Sequence, residues 1–167
     1  MTTPVAHIRY DSQYGSSRDY AEELAQRLST HAHTLDAAVP KDGQPVVFFS
    51  FIHGPVIPAV EGAAALGEYQ PPIALAVVGM SPVDYAREKD SLARLAPHYQ
   101  RFYLPGRLIY SQLSTKHKTM MRALAAGIAL KPLRNPAEQN ILDTFGRDID
   151  LVNFAELDPI EQWINSF

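Results

Sequence analysis

Hydrophobic positions along the chain switch between two spacings, which predicts strands and helices in alternation. The apolar runs Val5 to Tyr10, Val46 to Phe51 and Ile73 to Gly79 are short and β-prone, as is typical of strands. The run Ile73 to Gly79 has no polar interruption, which favours a central strand covered on both faces. Two shorter strands are predicted around Leu35 and at Arg101 to Leu104.

Between these runs, apolar residues recur at helical spacing, beginning with Tyr20, Ala21, Leu24, Ala25 and Leu28. Ser16 followed by Asp19 matches a capping box at the start of this first helix. The predicted helices cover about 16–28, 58–66, 83–95 and 114–130, and two closing helices begin near the Asn135-Pro136 and Asp158-Pro159 caps.

Strands that alternate with helices predict one α/β domain over residues 1–167. Its expected core is a doubly wound parallel sheet of about five strands with helices on both faces. Such sheets bind ligands beyond the carboxyl ends of their strands, so we expect the functional site there. One irregularity is Arg9 inside the first strand, and we expect it to pair with an acidic neighbour such as Asp11.

Composition excludes several classes of function. The 167 residues are 46% hydrophobic and 20% charged with a formal charge of -3, which gives no global electrostatic basis for binding nucleic acid. The chain has no Cys, which removes disulfides and zinc–thiolate sites, and no metal site is predicted. No transmembrane or targeting segment is evident, so we expect a cytoplasmic protein.

The turn between the first strand and the first helix carries the main candidate chemistry. It reads S-x-Y-G-S-S, with Ser12, Tyr14, Gly15, Ser16 and Ser17. Hydroxyls and a glycine before a helix N-terminus form a neutral anion-binding cradle, for which no Lys or Arg is required. Phosphate is the expected ligand. The alternative interpretation is that Ser16 simply caps the helix.

In its order of elements and in this turn, the chain resembles the flavodoxin-like family, where the turn holds the phosphate of flavin mononucleotide (FMN). The segment Ser50 to Val60 is similar to the family segment along the isoalloxazine ring, and Val77 to Pro82 resembles the loop on the other side of the flavin. Phe102 to Ser114 is similar to a segment before a long helix. The similarity is greatest to the flavodoxin-domain proteins that include the menaquinone-dependent protoporphyrinogen oxidases.

The resemblance implies an FMN-binding protein acting in electron transfer or as a small flavin-dependent oxidoreductase, with no catalytic side chain assigned. A redox partner protein, a quinone or a small-molecule electron acceptor is the implied partner. The implied cofactor-binding residues lie in three loops: Ser12, Tyr14, Gly15, Ser16 and Ser17; then Phe51, Ile52, His53 and Gly54; then Gly79, Met80 and Ser81.

The chain departs from the family pattern after the third strand. His53 occupies a position where relatives often place a Tyr against the ring, and Pro55 and Val56 follow it. The alternative function is therefore a scaffold or interaction module that has lost flavin binding. A hydrolase is disfavoured, since no G-x-S-x-G elbow is present.

A basic cluster near the start of the long helix is a separate candidate. It consists of Lys116, His117, Lys118 and Arg122. The cluster could dock an anionic or quinone-linked partner, or it could be an ordinary solvated helix face.

Overall fold

A computed structural model describes residues 6–52 and 54–167 and contains the predicted parallel sheet. Five parallel strands lie in the order β2-β1-β3-β4-β5. Their bounds are β1 His7–Tyr10, β2 Ala32–Thr34, β3 Val46–Phe51, β4 Ile73–Gly79 and β5 Gln100–Pro105. The strand order places the carboxyl ends of β1, β3 and β4 side by side, which confirms the expected sheet architecture.

Helices pack on both faces of the sheet. Alternate residues of β3 point to opposite faces, so Val47 and Phe49 join one core and Val46 and Phe48 join the other. Helices α1 and α6 cover the first face and α2 covers the second. The helices are α1 Ser16–Arg27, α2 Pro58–Ala64, α3 Val83–Lys89, α4 Thr115–Ala129, α5 Pro136–Thr144 and α6 Asp158–Ile164.

Beyond β5 the chain forms a separate two-stranded sheet that the sequence did not predict, although the helices between its strands were predicted. Strand β6 (Arg107–Leu108) pairs antiparallel with β7 (Ile149–Asp150), and residues 109–148 between them contain α4 and α5. We call this segment the helical hairpin. Its two helices pack on each other, and α5 also contacts α3. Within the described residues, none of the helices is long and apolar enough to cross a bilayer.

Three helix boundaries differ from the sequence predictions. Helix α3 ends at Lys89 rather than near 95, because Asp90 adopts a left-handed backbone with φ of 37°. Helix α1 has Gly15 as its N-cap and no side-chain cap, so the predicted Ser16–Asp19 capping box is wrong. Helix α6 likewise begins without the predicted cap from Asp158, whose carboxylate pairs with Arg27 instead.

Arg9 is only 3% exposed, yet it does not pair with Asp11 as expected. Its guanidinium donates to the backbone carbonyls of Ile8, Ala37 and Ala38. Burial lowers the Arg9 pKa from its usual value. The cation is therefore satisfied by the loop after β2, which carries carbonyls rather than a carboxylate at this point.

Candidate functional site

The turn after β1 depends on the left-handed backbone conformation of Gly15. Gly15 has φ of 93°, a left-handed conformation, and its N–H donates to Ser12 Oγ at 3.0 Å. The first helical hydrogen bond runs from Asp19 N–H to Gly15 O at 2.9 Å. The N–H groups of Ser16 and Ser17 therefore precede the helical ladder of α1, and they lie where a helix N-terminus attracts an anion.

Ser17 provides the observation that points to a ligand. Its side chain is 1% exposed, and its Oγ has no hydrogen-bond partner among the described residues. A buried hydroxyl without a partner costs about 1–3 kcal/mol, so such a group is rarely retained without a role. A phosphate in the turn would accept a hydrogen bond from this hydroxyl, so the residues present fit that group.

The turn is not as neutral as the sequence suggested. A Cβ on Gly15 would lie 3.5 Å from Arg107 Nη1 and 3.6 Å from Arg18 Nη2, so two guanidinium groups flank the glycine. Asp19 binds both, at 2.8 Å from Arg107 and 3.3 Å from Arg18. Arg107 also binds Asp150 of β7 at 2.9 Å. Positive charge is thus present beside the turn, although carboxylates largely neutralise it.

The loop after β4 is shaped by Tyr103 of β5. The Tyr103 hydroxyl accepts from Ser81 N–H at 2.9 Å and donates to Ser81 O at 3.2 Å. A Cβ on Gly79 would come within 2.6 Å of that hydroxyl, so only glycine fits there. Burial raises the pKa of Tyr103, which keeps the hydroxyl protonated and able to donate. The third predicted loop is therefore held against β5 by the hydrogen bonds between Ser81 and Tyr103.

The loop after β3 lies between the other two loops. Ile52 N–H donates to Val78 O of β4 at 3.1 Å, and the Ile52 side chain is partly exposed. Buried Ser50 fixes the following segment, since its Oγ accepts from Ala59 N–H at 3.0 Å. Gly54 has φ of 61°, and His53 lies outside the described residues. Phe51, Ile52 and Gly54 thus lie at the same sheet edge as the first and third loops.

The helical hairpin reaches two of these three loops. Tyr14 Oη and His117 Nδ1 lie 2.5 Å apart, which joins the first loop to the start of α4. Asn140 of α5 donates from Nδ2 to Met80 O at 2.8 Å, which joins α5 to the third loop. Burial raises the pKa of Tyr14, so its phenol stays protonated. The hairpin therefore borders the site at the carboxyl edge.

A cavity of about 890 Å³ opens beside the second and third loops. Ile52, Gly54 and Ser81 border it, and it continues along α3 and the edge strand β5. The residues of the first loop do not line it. A volume of this size suits an organic cofactor or a small substrate. The structure thus provides a cavity beside the predicted ring loops, and the serine-rich turn after β1 lies outside the lining of this cavity.

Comparison with protein families identifies the family of the chain. A sequence profile described as "Flavodoxin domain" matches residues 7–128. The chain belongs to the flavodoxin domain family. The match spans the three loops of this flavodoxin domain and most of α4. Searches of curated proteins and of solved structures found no match to the chain.

Several contacts that shape the site of the flavodoxin domain were not predicted from sequence. Tyr103 and Asn140 lie far along the chain from Gly79 and Met80, and no local pattern connects them. The pairing of Arg107 with Asp19 is equally long-range. One usable signal was Gly106 directly after β5, since a glycine at a strand end indicates a close backbone approach. Its N–H donates to Gly79 O at 2.8 Å.

The basic cluster divides between two roles. His117 contacts Tyr14, and Lys118 Nζ donates to Ser111 O at 3.2 Å, so both have partners within the fold. Lys116 and Arg122 are exposed and form no ion pair among the residues that the structure describes. Lys116 and Arg122 are therefore the two members of the cluster whose side chains are exposed to solvent.

Proposed function

We propose that this flavodoxin domain binds FMN and acts in electron transfer or as a small flavin-dependent oxidoreductase. The buried, unpartnered hydroxyl of Ser17 at the N-terminus of α1 carries the proposal. A phosphate group supplies the acceptor that this hydroxyl lacks, and the turn offers it backbone N–H donors as well. Membership of the flavodoxin domain family supports a flavin as the rest of that ligand.

In this proposal the three loops divide the cofactor between them. Ser12, Gly15, Ser16 and Ser17 hold the phosphate, with Tyr14 beside it. The second loop, Phe51 to Gly54 with His53, lies along one side of the ring, and Gly79 to Ser81 lies along the other. FMN when bound supplies the one- or two-electron redox chemistry. The protein orients the ring and limits its contact with water.

The electron acceptor follows from the same family argument. We propose a redox partner protein, a quinone or a small-molecule acceptor, as in the branch that contains the menaquinone-dependent protoporphyrinogen oxidases. The exposed Ile52 beside the cavity gives an apolar approach to the ring position. The hairpin narrows this approach from the side of the third loop, through Asn140 and Met80.

Titration of the full chain with FMN and with riboflavin tests the proposal. We expect FMN to bind, with quenched flavin fluorescence and a shifted visible spectrum, and denaturation to release it. Riboflavin has the same ring without the phosphate, so it should bind at least about ten-fold more weakly if the turn contributes one charge-assisted hydrogen bond.

Two results would contradict the proposal in different ways. If neither flavin binds, the chain is better explained as a scaffold or interaction module of the same fold. If both flavins bind with equal affinity, the ring is recognised but the turn after β1 does not hold the phosphate.

A further inference from the structure

The helical hairpin exposes large apolar side chains to solvent, both on α4 and in the connection after it. Leu130 and Leu133, in the connection between α4 and α5, are each 87% exposed. On α4, Met120 and Leu124 are 48% and 47% exposed. Single exposed apolar residues are ordinary, but four on one small projection form an apolar patch of the kind that marks an interaction site. We call these four residues the hairpin patch.

Helical spacing places part of the hairpin patch on the same side of α4 as a lysine. Lys116, Met120 and Leu124 are each four residues apart, so they lie along one side of α4. The stripe they form leads to the connection that carries Leu130 and Leu133. Lys131 lies between these two leucines in sequence. The apolar surface is therefore flanked by basic residues at both ends.

Charge in this part of the chain is one-sided. No Asp or Glu occurs from Ser91 to Ala137, although the whole chain has a net charge of -3. Lys116 and Arg122 form no ion pair with a carboxylate in the described part of the chain. Arg134 donates to the last carbonyls of α4, and Lys131 pairs with Glu138. Residues 109–148 contain six Lys or Arg against three Asp or Glu, so the hairpin carries local positive charge on a chain whose net charge is negative.

We propose that the hairpin patch docks on an anionic lipid bilayer. Leu130 and Leu133 would enter the boundary between headgroups and acyl chains, while Lys116 and Arg122 contact lipid phosphates and other anionic headgroups. Exposed Met120 and Leu124 on α4, continued by Leu130 and Leu133 and accompanied by basic residues, give this segment the composition of interfacial helices. Protein interfaces are enriched in aromatic residues, Met and Arg and depleted in Lys, whereas the patch has one Met, no aromatic residue and lysines beside it.

This proposal does not depend on FMN binding. The hairpin patch consists of exposed side chains on α4 and in the connection that follows it, whereas the flavin proposal uses loops at the sheet edge. Its test is co-sedimentation of the full chain with vesicles of phosphatidylcholine alone or with about a third phosphatidylserine. We expect binding to the anionic vesicles, weak binding to the neutral ones, and loss of binding as salt is raised.

Paired leucine variants test the apolar contribution. Leu130→Gln with Leu133→Gln should weaken vesicle binding at least ten-fold, because each leucine gives up burial in the bilayer. The matched control is Leu95→Gln with Leu151→Gln, two leucines that are 54% and 50% exposed elsewhere on the chain. The control should bind vesicles as the wild type does. Because all four side chains are exposed, the variants should fold normally.

Paired charge variants test the basic contribution. Lys116→Gln with Arg122→Gln should weaken binding about five-fold per charge. Lys41→Gln with Arg94→Gln removes the same charge from exposed positions outside the hairpin, and it should have a smaller effect. Failure to bind anionic vesicles, or equal losses in variant and control pairs, would overturn the proposal. Binding to polyglutamate without binding to vesicles would also overturn it, in favour of an acidic protein partner.

Discussion

At the scale of single residues, two buried serines show that the effect of a hydroxyl on the stability of the fold depends on its hydrogen-bond partners. Ser50 is buried with its Oγ bonded to Ala59 N–H and Phe51 O. Ser17 is equally buried, but its Oγ has no partner among the described residues. The first hydroxyl stabilises the fold, whereas the second is a cost to the free chain. The difference is consistent with a ligand at Ser17.

Replacing Ser17 with Ala should therefore have opposite effects on stability and on binding. Removing an unsatisfied buried hydroxyl should raise the free energy of unfolding of the ligand-free chain by up to about 1 kcal/mol. The same change should weaken FMN binding roughly 10- to 100-fold, because one hydrogen bond to a charged group is lost. Urea denaturation and FMN titration measure the two effects.

Ser50→Ala is the matched control for that experiment. It leaves Ala59 N–H without a partner, so it should lower the free energy of unfolding by about 1–2 kcal/mol. Unchanged FMN affinity in Ser17→Ala, measured on protein that is folded and binds riboflavin, would remove Ser17 from the phosphate site.

At the scale of elements, the helices differ in whether a side chain accepts hydrogen bonds from the backbone N–H groups of the first turn. Helix α5 has a complete capping box, in which Asn135 accepts from Glu138 N–H at 2.9 Å and Glu138 accepts from Asn135 N–H. Helix α1 has no side-chain cap, and its first turn begins at Gly15. Helices α2, α3 and α6 also begin without a side-chain cap, so a missing cap is not peculiar to α1. The absence of one leaves the N–H groups of α1 available to an anion.

Alanine substitutions at the two helix starts should separate these cases. Asn135→Ala removes a cap and should cost about 1 kcal/mol, measured by faster amide hydrogen exchange in the first turn of α5. Ser16→Ala should change the exchange rates of α1 and the free energy of unfolding by less than about 0.5 kcal/mol. A cost for Ser16→Ala as large as that for Asn135→Ala would restore the capping interpretation of the turn.

At the scale of the whole molecule, Tyr20 joins three parts of the chain that are distant in sequence. Its hydroxyl donates to Pro105 O at 2.7 Å and accepts from Asn153 N–H at 2.9 Å. It thereby connects α1 to the end of β5 and to the segment before α6. Burial is the main cause that raises the pKa of Tyr20 to about 12.

This pKa predicts a loss of stability at high pH. Unfolded Tyr ionises near pH 10, so between about pH 10 and 12 the folded chain holds a proton that the unfolded chain has released. The stabilisation is complete below pH 10 and is lost as pH rises through 12, by roughly 3 kcal/mol. Urea denaturation at a series of pH values measures it.

Tyr20→Phe is the control, because it removes the titrating group and keeps the ring. Its free energy of unfolding should be lower near neutral pH, since the bridge between Pro105 and Asn153 is lost. Its decline from pH 10 to 12 should be shallower than that of the wild type. Parallel pH curves for the two proteins would show that Tyr20 does not set the alkaline limit.

The sheet and the order of its loops could be predicted because their signals are local. The runs at 46–51 and 73–79 are β-prone in their own right, and their bounds agree with β3 and β4. The turn at Ser12 to Ser17 was found because its residues are consecutive. The capping box at Asn135 was found for the same reason, since its partners lie three residues apart.

The remaining features depended on contacts between distant residues. Whether Ser16 caps α1 depends on the backbone of Gly15, and whether Ser17 has a partner depends on everything packed around it. The bonds from Tyr103 to Ser81 and from Asn140 to Met80 connect positions 22 and 60 residues apart. By itself the sequence determined where the main strands and the loops between them lie, and which residue types those loops carry. It could do so because periodicity and turn residues act over a few positions. Only the tertiary structure decided which hydroxyl is left without a partner and where the hairpin lies, because burial and long-range hydrogen bonding exist only once the chain has packed.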